Sequence, residues 1–171
     1  MKTRDLHRDE RRHDLMKSHL IQEEVHDTYQ TRKKYHEPTV CGQCDAVYHK
    51  GRWQWLEESP PMSRDDICPA CHRINDKYPA GEMILSGTFF AAHREEIMHM
   101  VRNEAEVETA EHPLHRIMGI EEHPEQVVVT TTDIHLPRRI GHAVEDSYKG
   151  KMEIHFDKEG HFARMKWHRD D

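Results

Sequence analysis

Two short stretches, Cys41-Gly42-Gln43-Cys44 and Cys68-Pro69-Ala70-Cys71, decide how this sequence folds. They hold all 4 cysteines of the chain. The two-residue gap inside each pair lets one tight turn direct both sulfurs at the same point, and two such pairs complete a tetrahedral shell around Zn²⁺. The spacing therefore predicts one structural zinc ion bound by Cys41, Cys44, Cys68 and Cys71, in a zinc ribbon.

Two alternatives are a pair of redox-active dithiols and unrelated buried cysteines. No strand–helix–strand pattern precedes either pair, and this favours zinc over the redox reading. A closed four-cysteine shell leaves no position for a substrate, so we expect the metal to act as a scaffold. His49 and His72 lie near the pairs, but four cysteines make a histidine ligand unnecessary.

The composition suits a protein that gains stability from a metal. The chain has 171 residues, of which 35% are hydrophobic and 33% charged, and its mean hydropathy is -0.99. This predicts a thin core, to which metal binding adds folding free energy directly. The net charge of -7 gives no overall signature of a nucleic-acid-binding protein.

The chain shows no sign of a membrane or of secretion. Residues 1–17 lack the apolar centre of a secretion signal. No stretch approaches the roughly 18 uninterrupted apolar residues of a membrane span. We therefore expect a cytoplasmic protein with reduced thiols and no membrane partner.

Changes in composition predict three segments. Residues 1–36 form a charged, histidine-rich extension, which we expect to be partly helical and ordered only against a partner or its own domain. Residues 37–91 form the zinc ribbon, with strands at 47–48 and 52–55, a loop at 59–63 and a third strand at 83–90. Residues 92–171 form a small domain of mixed structure.

This last segment predicts the order α-β-β-α-β-β. Its elements are a helix at 93–109, strands at 114–120 and 126–131, a helix from about Asp133 to Gly150 with Pro137 in its first turn, and a hairpin of 151–156 and 161–167. The fold class is therefore α+β, with the helices on one face of a sheet.

Four stretches carry a resemblance to a known family. They are HDTYQTRKKYHEPTVCGQCDAVYHKGRWQW (26–55), CPACHRINDKYPAGEMILSGTF (68–89), EHPLHRIM (111–118) and TTDIHLPRRIGHAVEDSYKG (131–150). Together they resemble a bacterial family of zinc-ribbon proteins, over residues 26–169. That family has no established activity to carry over.

A more distant resemblance suggests a partner. The cysteine pairs, the stretch 131–150 and the basic hairpin after it are similar to the nonsense-mediated-decay-3 proteins of archaea and eukaryotes. Those proteins bind the large ribosomal subunit, and in eukaryotes they adapt it for nuclear export. This chain departs from them in having a single four-cysteine set and much less length. The resemblance implies contact with RNA or the ribosome.

The carboxy-terminal part has the best local charge for RNA. From Ile134 to Arg169 there are eight basic and five acidic residues. Basic side chains at a helix start favour phosphate, and a tryptophan can stack on a base. The candidate RNA-binding residues are Arg138, Arg139, Lys149, Lys151, Arg164, Lys166, Trp167 and Arg169. The alternative is that these are solvated faces, with Trp167 in the core.

A second candidate surface is Arg52 with Trp53, since arginine and tryptophan are favoured at recognition sites. The alternative is that the tryptophans form the small core of the ribbon. The acidic segment 104–111 would repel RNA, so it must point elsewhere or meet a protein, as the extension 1–36 would also do. Among 17 histidines, His112 with His115, or His135 with His142, could form a second metal or proton-sensing site.

No catalytic motif stands out. The chain has no nucleophile elbow, phosphate loop or metalloprotease motif, and the hydroxyls and carboxylate of residues 130–133 suit helix capping as well as catalysis. We therefore predict a non-enzymatic zinc-ribbon adaptor that binds structured RNA or the ribosome through the carboxy-terminal helix and hairpin. The alternative is a protein–protein adaptor or a metal- or redox-responsive regulator.

Overall fold

A computed structural model describes residue 29, residues 35–61 and residues 63–171. The first sheet has four short strands in the order β3-β2-β1-β4. These strands are β1 (Thr39–Cys41), β2 (Val47–His49), β3 (Arg52–Gln54) and β4 (Arg64–Asp66). β1 pairs antiparallel with β2 and parallel with β4. The chain enters and leaves the metal-binding turns from this sheet, because β1 ends at Cys41.

Helix α1 (Pro69–Asp76) follows β4 directly. Cys68 is its N-cap, and the Cys68 sulfur accepts a hydrogen bond from the backbone N–H of Cys71. Pro69 occupies the first turn, where its fixed φ suits the helix and its missing N–H has no partner to lose. Lys77 ends the helix in the left-handed conformation, at φ 52°. The second cysteine pair is thus the start of a helix.

The second sheet has five strands in the order β6-β7-β5-β9-β8. Its strands are β5 (Gly81–Ser86), β6 (Ile117–Glu122), β7 (Gln126–Thr131), β8 (Lys151–Phe156) and β9 (Ala163–His168). β5 and β9 are parallel, and the other neighbours are antiparallel. The helices that belong to it are α2 (Thr88–Ala92), α3 (Arg94–Glu111) and α4 (His135–Tyr148).

The main core lies between this sheet and its helices. Alternate residues of β5, β7 and β9 are buried, as the period of a strand dictates. They pack against the apolar faces of α3 and α4, in a cluster that includes Met83, Val129, Ile97, Ile140 and Trp167. The helices therefore cover one face of the sheet. We call the opposite face of the sheet the open face. It carries the exposed side chains of β9, which are Arg164, Lys166 and His168.

The structure confirms the α+β fold class and the order α-β-β-α-β-β of the second half. The strand predicted at 126–131 has those same bounds, and α3, α4 and the hairpin strands lie within a few residues of prediction. β4 and α1 were not predicted. The helix predicted in the extension lies outside the described residues.

A strand does form near the predicted range 83–90, but its bounds and its sheet differ from the prediction. It runs from 81 to 86, residues 88–92 form α2, and β5 pairs with β7 and β9 in the second sheet. The physical reason is its alternating burial, with Met83 and Leu85 in the large core. A domain boundary between residues 91 and 92 would separate β5 from both of its partners.

Candidate metal centre and surrounding side chains

The four cysteines converge on one point. Their sulfurs lie within 4.8 Å of one another, all four thiols are free, and the Cys44 and Cys68 sulfurs are 3.7 Å apart. Four sulfurs at about 2.3 Å from a tetrahedral zinc ion would be separated by roughly 3.8 Å. The donor set therefore fits a tetrahedral metal ion, as four cysteine sulfurs do in zinc and iron–sulfur sites.

Backbone groups hold the sulfurs in place. The N–H of Cys68 donates to the Cys41 sulfur at 3.3 Å, and the N–H of Cys71 donates to the Cys68 sulfur at 3.4 Å. Asp45 takes a positive φ of 65° in the turn after Cys44. These donors stabilise negative charge on sulfur, as a metal-binding thiolate requires.

The acidities of the thiols are strongly coupled. A hydrogen bond from the Cys68 thiol lowers the pKa of Cys44 to about 4, and the same bond raises the pKa of Cys68. Burial raises the pKa of Cys71. The cluster thus favours negative charge on the Cys44 sulfur and a proton on the Cys68 sulfur. A bound metal ion replaces such protons, because its ligands are deprotonated.

Arg116, just before β6, reaches across to this cluster from the second sheet. Its Nη2 lies 3.1 Å from the Cys68 sulfur and 3.3 Å from the Cys44 sulfur, and its Nη1 lies 3.6 Å from the Cys71 sulfur. Burial opposes the charge of the guanidinium, but the neighbouring sulfurs outweigh burial and raise the pKa of Arg116. Sequence reasoning missed this residue. Its only signal was its place in the stretch EHPLHRIM.

Several candidate RNA-binding residues have structural roles instead. Trp167 is 0% exposed, and its indole N–H donates to the Lys149 carbonyl at 2.6 Å. It cannot stack on a base, so the core alternative is correct. Arg139 pairs with Glu104 at 2.9 Å and Glu108 at 2.7 Å. Arg169 donates to the Tyr148 carbonyl, and its guanidinium covers the Phe89 ring at 3.6 Å.

The remaining candidates do not share one surface. Arg138 is exposed on α4, on the helix side of the sheet. Arg164 and Lys166 alternate with buried residues of β9 and so belong to the open face. Lys149 and Lys151 are exposed at the start of the hairpin. The structure therefore does not bring the helix and hairpin candidates onto one surface, because the sheet lies between Arg138 and the open face.

The second candidate surface, Arg52 with Trp53, also combines one core residue with one exposed residue. Trp53 is half-buried, packs against the cysteine cluster and contacts the rings of Tyr35 and Tyr48. It belongs to the ribbon core, as the alternative reading proposed. Arg52 is exposed. Trp55 is 39% exposed, and its indole N–H donates to the Thr109 carbonyl at 2.7 Å.

Several histidines gather near the start of α4. The rings of His112 and His115 are 4.9 Å apart, and those of His115 and His135 are 5.5 Å apart. His142 is exposed elsewhere on α4. Within the described part of the chain, only the cysteines bring three or more ligand atoms to metal-binding distance. Asp133 caps α4 by accepting from the N–H groups of His135 and Leu136, so the capping alternative is correct.

Comparisons with protein-family models, with curated proteins and with solved structures gave no match. Both resemblances seen in the sequence therefore stay predictions. Of the helices that the structure describes, none has the length and apolar character needed to cross a membrane.

Proposed function

We propose that this protein is a non-enzymatic zinc-ribbon adaptor that binds structured RNA, including ribosomal RNA, through the open face of the β8–β9 hairpin. The observation that carries the proposal is the composition of that face. Five of its six side chains are basic residues or histidines, and the sixth is Glu153. The six are Lys151, Glu153 and His155 of β8 and, opposite them, His168, Lys166 and Arg164 of β9.

The acidic neighbours of this face are weak competitors for phosphate. Lys151 pairs with Glu153 at 2.9 Å, and Arg164 pairs with Glu82 of β5. The Lys151–Glu153 pair is exposed to solvent, and such pairs are weak, so phosphate can replace Glu153 at little cost. Glu82 is only 16% exposed, whereas Arg164 is 46% exposed and can still contact phosphate. Lys166 is exposed between the two pairs. The face therefore offers three permanent cations along two adjacent strands.

The acidic segment 104–111 does not oppose RNA on this face. It forms the end of α3, which packs on the buried face of the sheet. Glu104 and Glu108 pair with Arg139 of α4, and the exposed Glu106 and Glu111 belong to the helix side. The fold thus separates the acidic and basic surfaces.

A charge reversal at Lys166 tests the proposal. We expect Lys166→Glu to weaken binding of the full-length, zinc-loaded protein to ribosomal RNA and to reduce the slope of log affinity against log salt by about 1–2. The matched control is Arg102→Glu, which reverses an exposed charge on α3. Equal RNA binding by the two variants, or no RNA binding by the unmodified protein at low salt, would refute the proposal.

Co-purification with and without nuclease separates RNA from protein partners. Loss of the partners after nuclease supports the RNA proposal. Partners that persist after nuclease would favour a protein–protein adaptor, and one feature suits that outcome. Strand β8 is an edge of the sheet with Ile154 41% and Phe156 45% exposed, as in strands that receive a partner strand.

A further inference from the structure

A cavity of about 150 Å³ lies where the cysteine module meets the second sheet. Helix α1, the loop before β6, the start of α4 and the turn of the β8–β9 hairpin all contribute to its lining. A cavity of roughly this volume holds one benzene molecule. Its size therefore suits a single six-membered ring.

The lining of the cavity mixes apolar and polar side chains in similar measure. Its apolar lining includes Ala70, Leu114 and Ile134, and its polar lining includes Arg73, Asp133 and His161. Ligand sites likewise place a few converging polar groups beside apolar walls. A flat ring with polar atoms on its rim can contact both kinds of side chain.

His161 has unmet hydrogen-bonding capacity. Both of its ring nitrogens are buried and have no hydrogen-bond partner among the described residues. A neutral imidazole carries one N–H donor and one acceptor nitrogen. Buried groups of this kind are normally satisfied. The two ring nitrogens point in widely different directions, so a small ligand in the cavity can bond to one of them, as a donor or as an acceptor.

Asp133 supplies a second unmet group. Its Oδ2 accepts from the N–H groups of His135 and Leu136, at 2.7 and 3.1 Å. Its Oδ1 is buried and has no hydrogen-bond partner among the residues that the structure describes. Burial raises the pKa of this carboxyl and outweighs the hydrogen bonds to Oδ2, which lower it. A ligand N–H would supply that donor.

His115 presents a third nitrogen next to Asp133. Its Nδ1 lies 2.7 Å from Glu108 Oε1, and this carboxyl can only accept while it is ionised. Burial opposes that ionisation, but hydrogen bonds from His115 and Arg139 outweigh burial and lower the pKa of Glu108. His115 thus donates through Nδ1, and its Nε2 remains available, 3.6 Å from Asp133 Oδ2.

We propose that this cavity binds a planar nitrogen heterocycle of single-ring size, with a ring N–H donating to Asp133 Oδ1 and a neighbouring polar atom of the ring bonding to one nitrogen of His161. A metal ion is disfavoured, because these side chains do not bring three ligand atoms together. This binding does not depend on RNA binding by the open face.

Titration of the full-length, zinc-loaded protein with uracil and cytosine tests the proposal. We expect saturable binding of at least one of the two by calorimetry, with shifts of the His161 ring signals in histidine-labelled NMR spectra. Benzene has the size of these rings without their polar rim, and we expect it to bind at least tenfold more weakly. No saturable binding of either base, or equal binding of benzene, would overturn the proposal.

Variants locate the binding. We expect His161→Phe to weaken binding at least tenfold, whereas His155→Phe on the open face should leave it unchanged. Asp133→Asn keeps an oxygen for the amides of α4 but presents an amino group to the cavity, so it should also weaken binding tenfold. Lys166→Glu should reduce RNA binding alone. Unchanged binding by both His161→Phe and Asp133→Asn would contradict the proposal.

Discussion

The contact between Arg116 and the cysteine cluster leads to a quantitative prediction about metal affinity. A zinc ion with four thiolates carries a net charge of about -2, and the guanidinium lies within 3.1–3.6 Å of three of the four sulfurs. Removing a side chain that supports metal ligands typically lowers metal affinity about 10- to 100-fold. Because Arg116 contacts three sulfurs at a half-buried site, we expect Arg116→Gln to lower the zinc affinity by about 100-fold, which corresponds to about 2.7 kcal/mol of binding free energy.

Competition with a chromogenic zinc chelator at neutral pH measures this affinity. The series comprises the unmodified protein, Arg116→Lys, Arg116→Gln and the control Arg102→Gln, which removes an exposed guanidinium from α3. Arg116→Lys should lie between the unmodified protein and Arg116→Gln, since an ammonium keeps the charge but lacks the fork that reaches several sulfurs. The control should match the unmodified protein.

The guanidinium also donates from Nε to the Pro113 carbonyl at 2.6 Å, so Arg116→Gln could lower stability without touching the metal. Melting temperatures with and without chelator separate the two effects, because lost metal stabilisation appears only in the zinc-loaded state. A zinc affinity for Arg116→Gln within twofold of that for Arg102→Gln would refute the reasoning.

Two further predictions concern the cysteines and Glu108. Cys68→Ser should lose stoichiometric zinc and melt at a lower temperature, because metal binding contributes folding free energy; full zinc content with an unchanged melting temperature would show that the cluster is not structural. The pKa of Glu108 is lowered in the folded state, so its ionised form stabilises the fold at neutral pH, and that contribution is lost as pH falls below about 4.3. Urea titrations from pH 7 to pH 3 should therefore show the stability advantage over Glu108→Gln shrinking with acidity, and a constant difference would contradict this.

The local parts of the fold could be predicted because they depend on local chemistry. The cysteine spacing identified the metal cluster, and the β-branched run of β7 gave its bounds. β5 was recognised as a strand but assigned to the wrong sheet, since its partner β9 lies about 80 residues further along the chain. α1 was missed because its N-cap is a cysteine sulfur, which is not among the usual capping groups.

The candidate site was less predictable because ion pairs form between distant segments. Arg139, Arg164 and Arg169 all raise the local charge of the sequence, yet each pairs with a carboxylate or a carbonyl from another element. Arg116 and His161 gave no motif. Their significance arises only when the fold brings them to the sulfurs and the cavity.

The cysteine cluster is connected to the cavity through two segments of the chain. Arg116 contacts the sulfurs with its side chain, while its backbone N–H donates to the Thr132 hydroxyl at 2.9 Å and its carbonyl accepts from the Thr132 N–H at 2.9 Å. Asp133, the residue after Thr132, lines the cavity. On the opposite side, Ala70 lines the cavity and precedes the ligand Cys71 directly. Ala70 thus adjoins a ligand directly, and Asp133 is linked to the cluster through Thr132 and Arg116, so we expect metal binding to order the cavity as well as the ribbon.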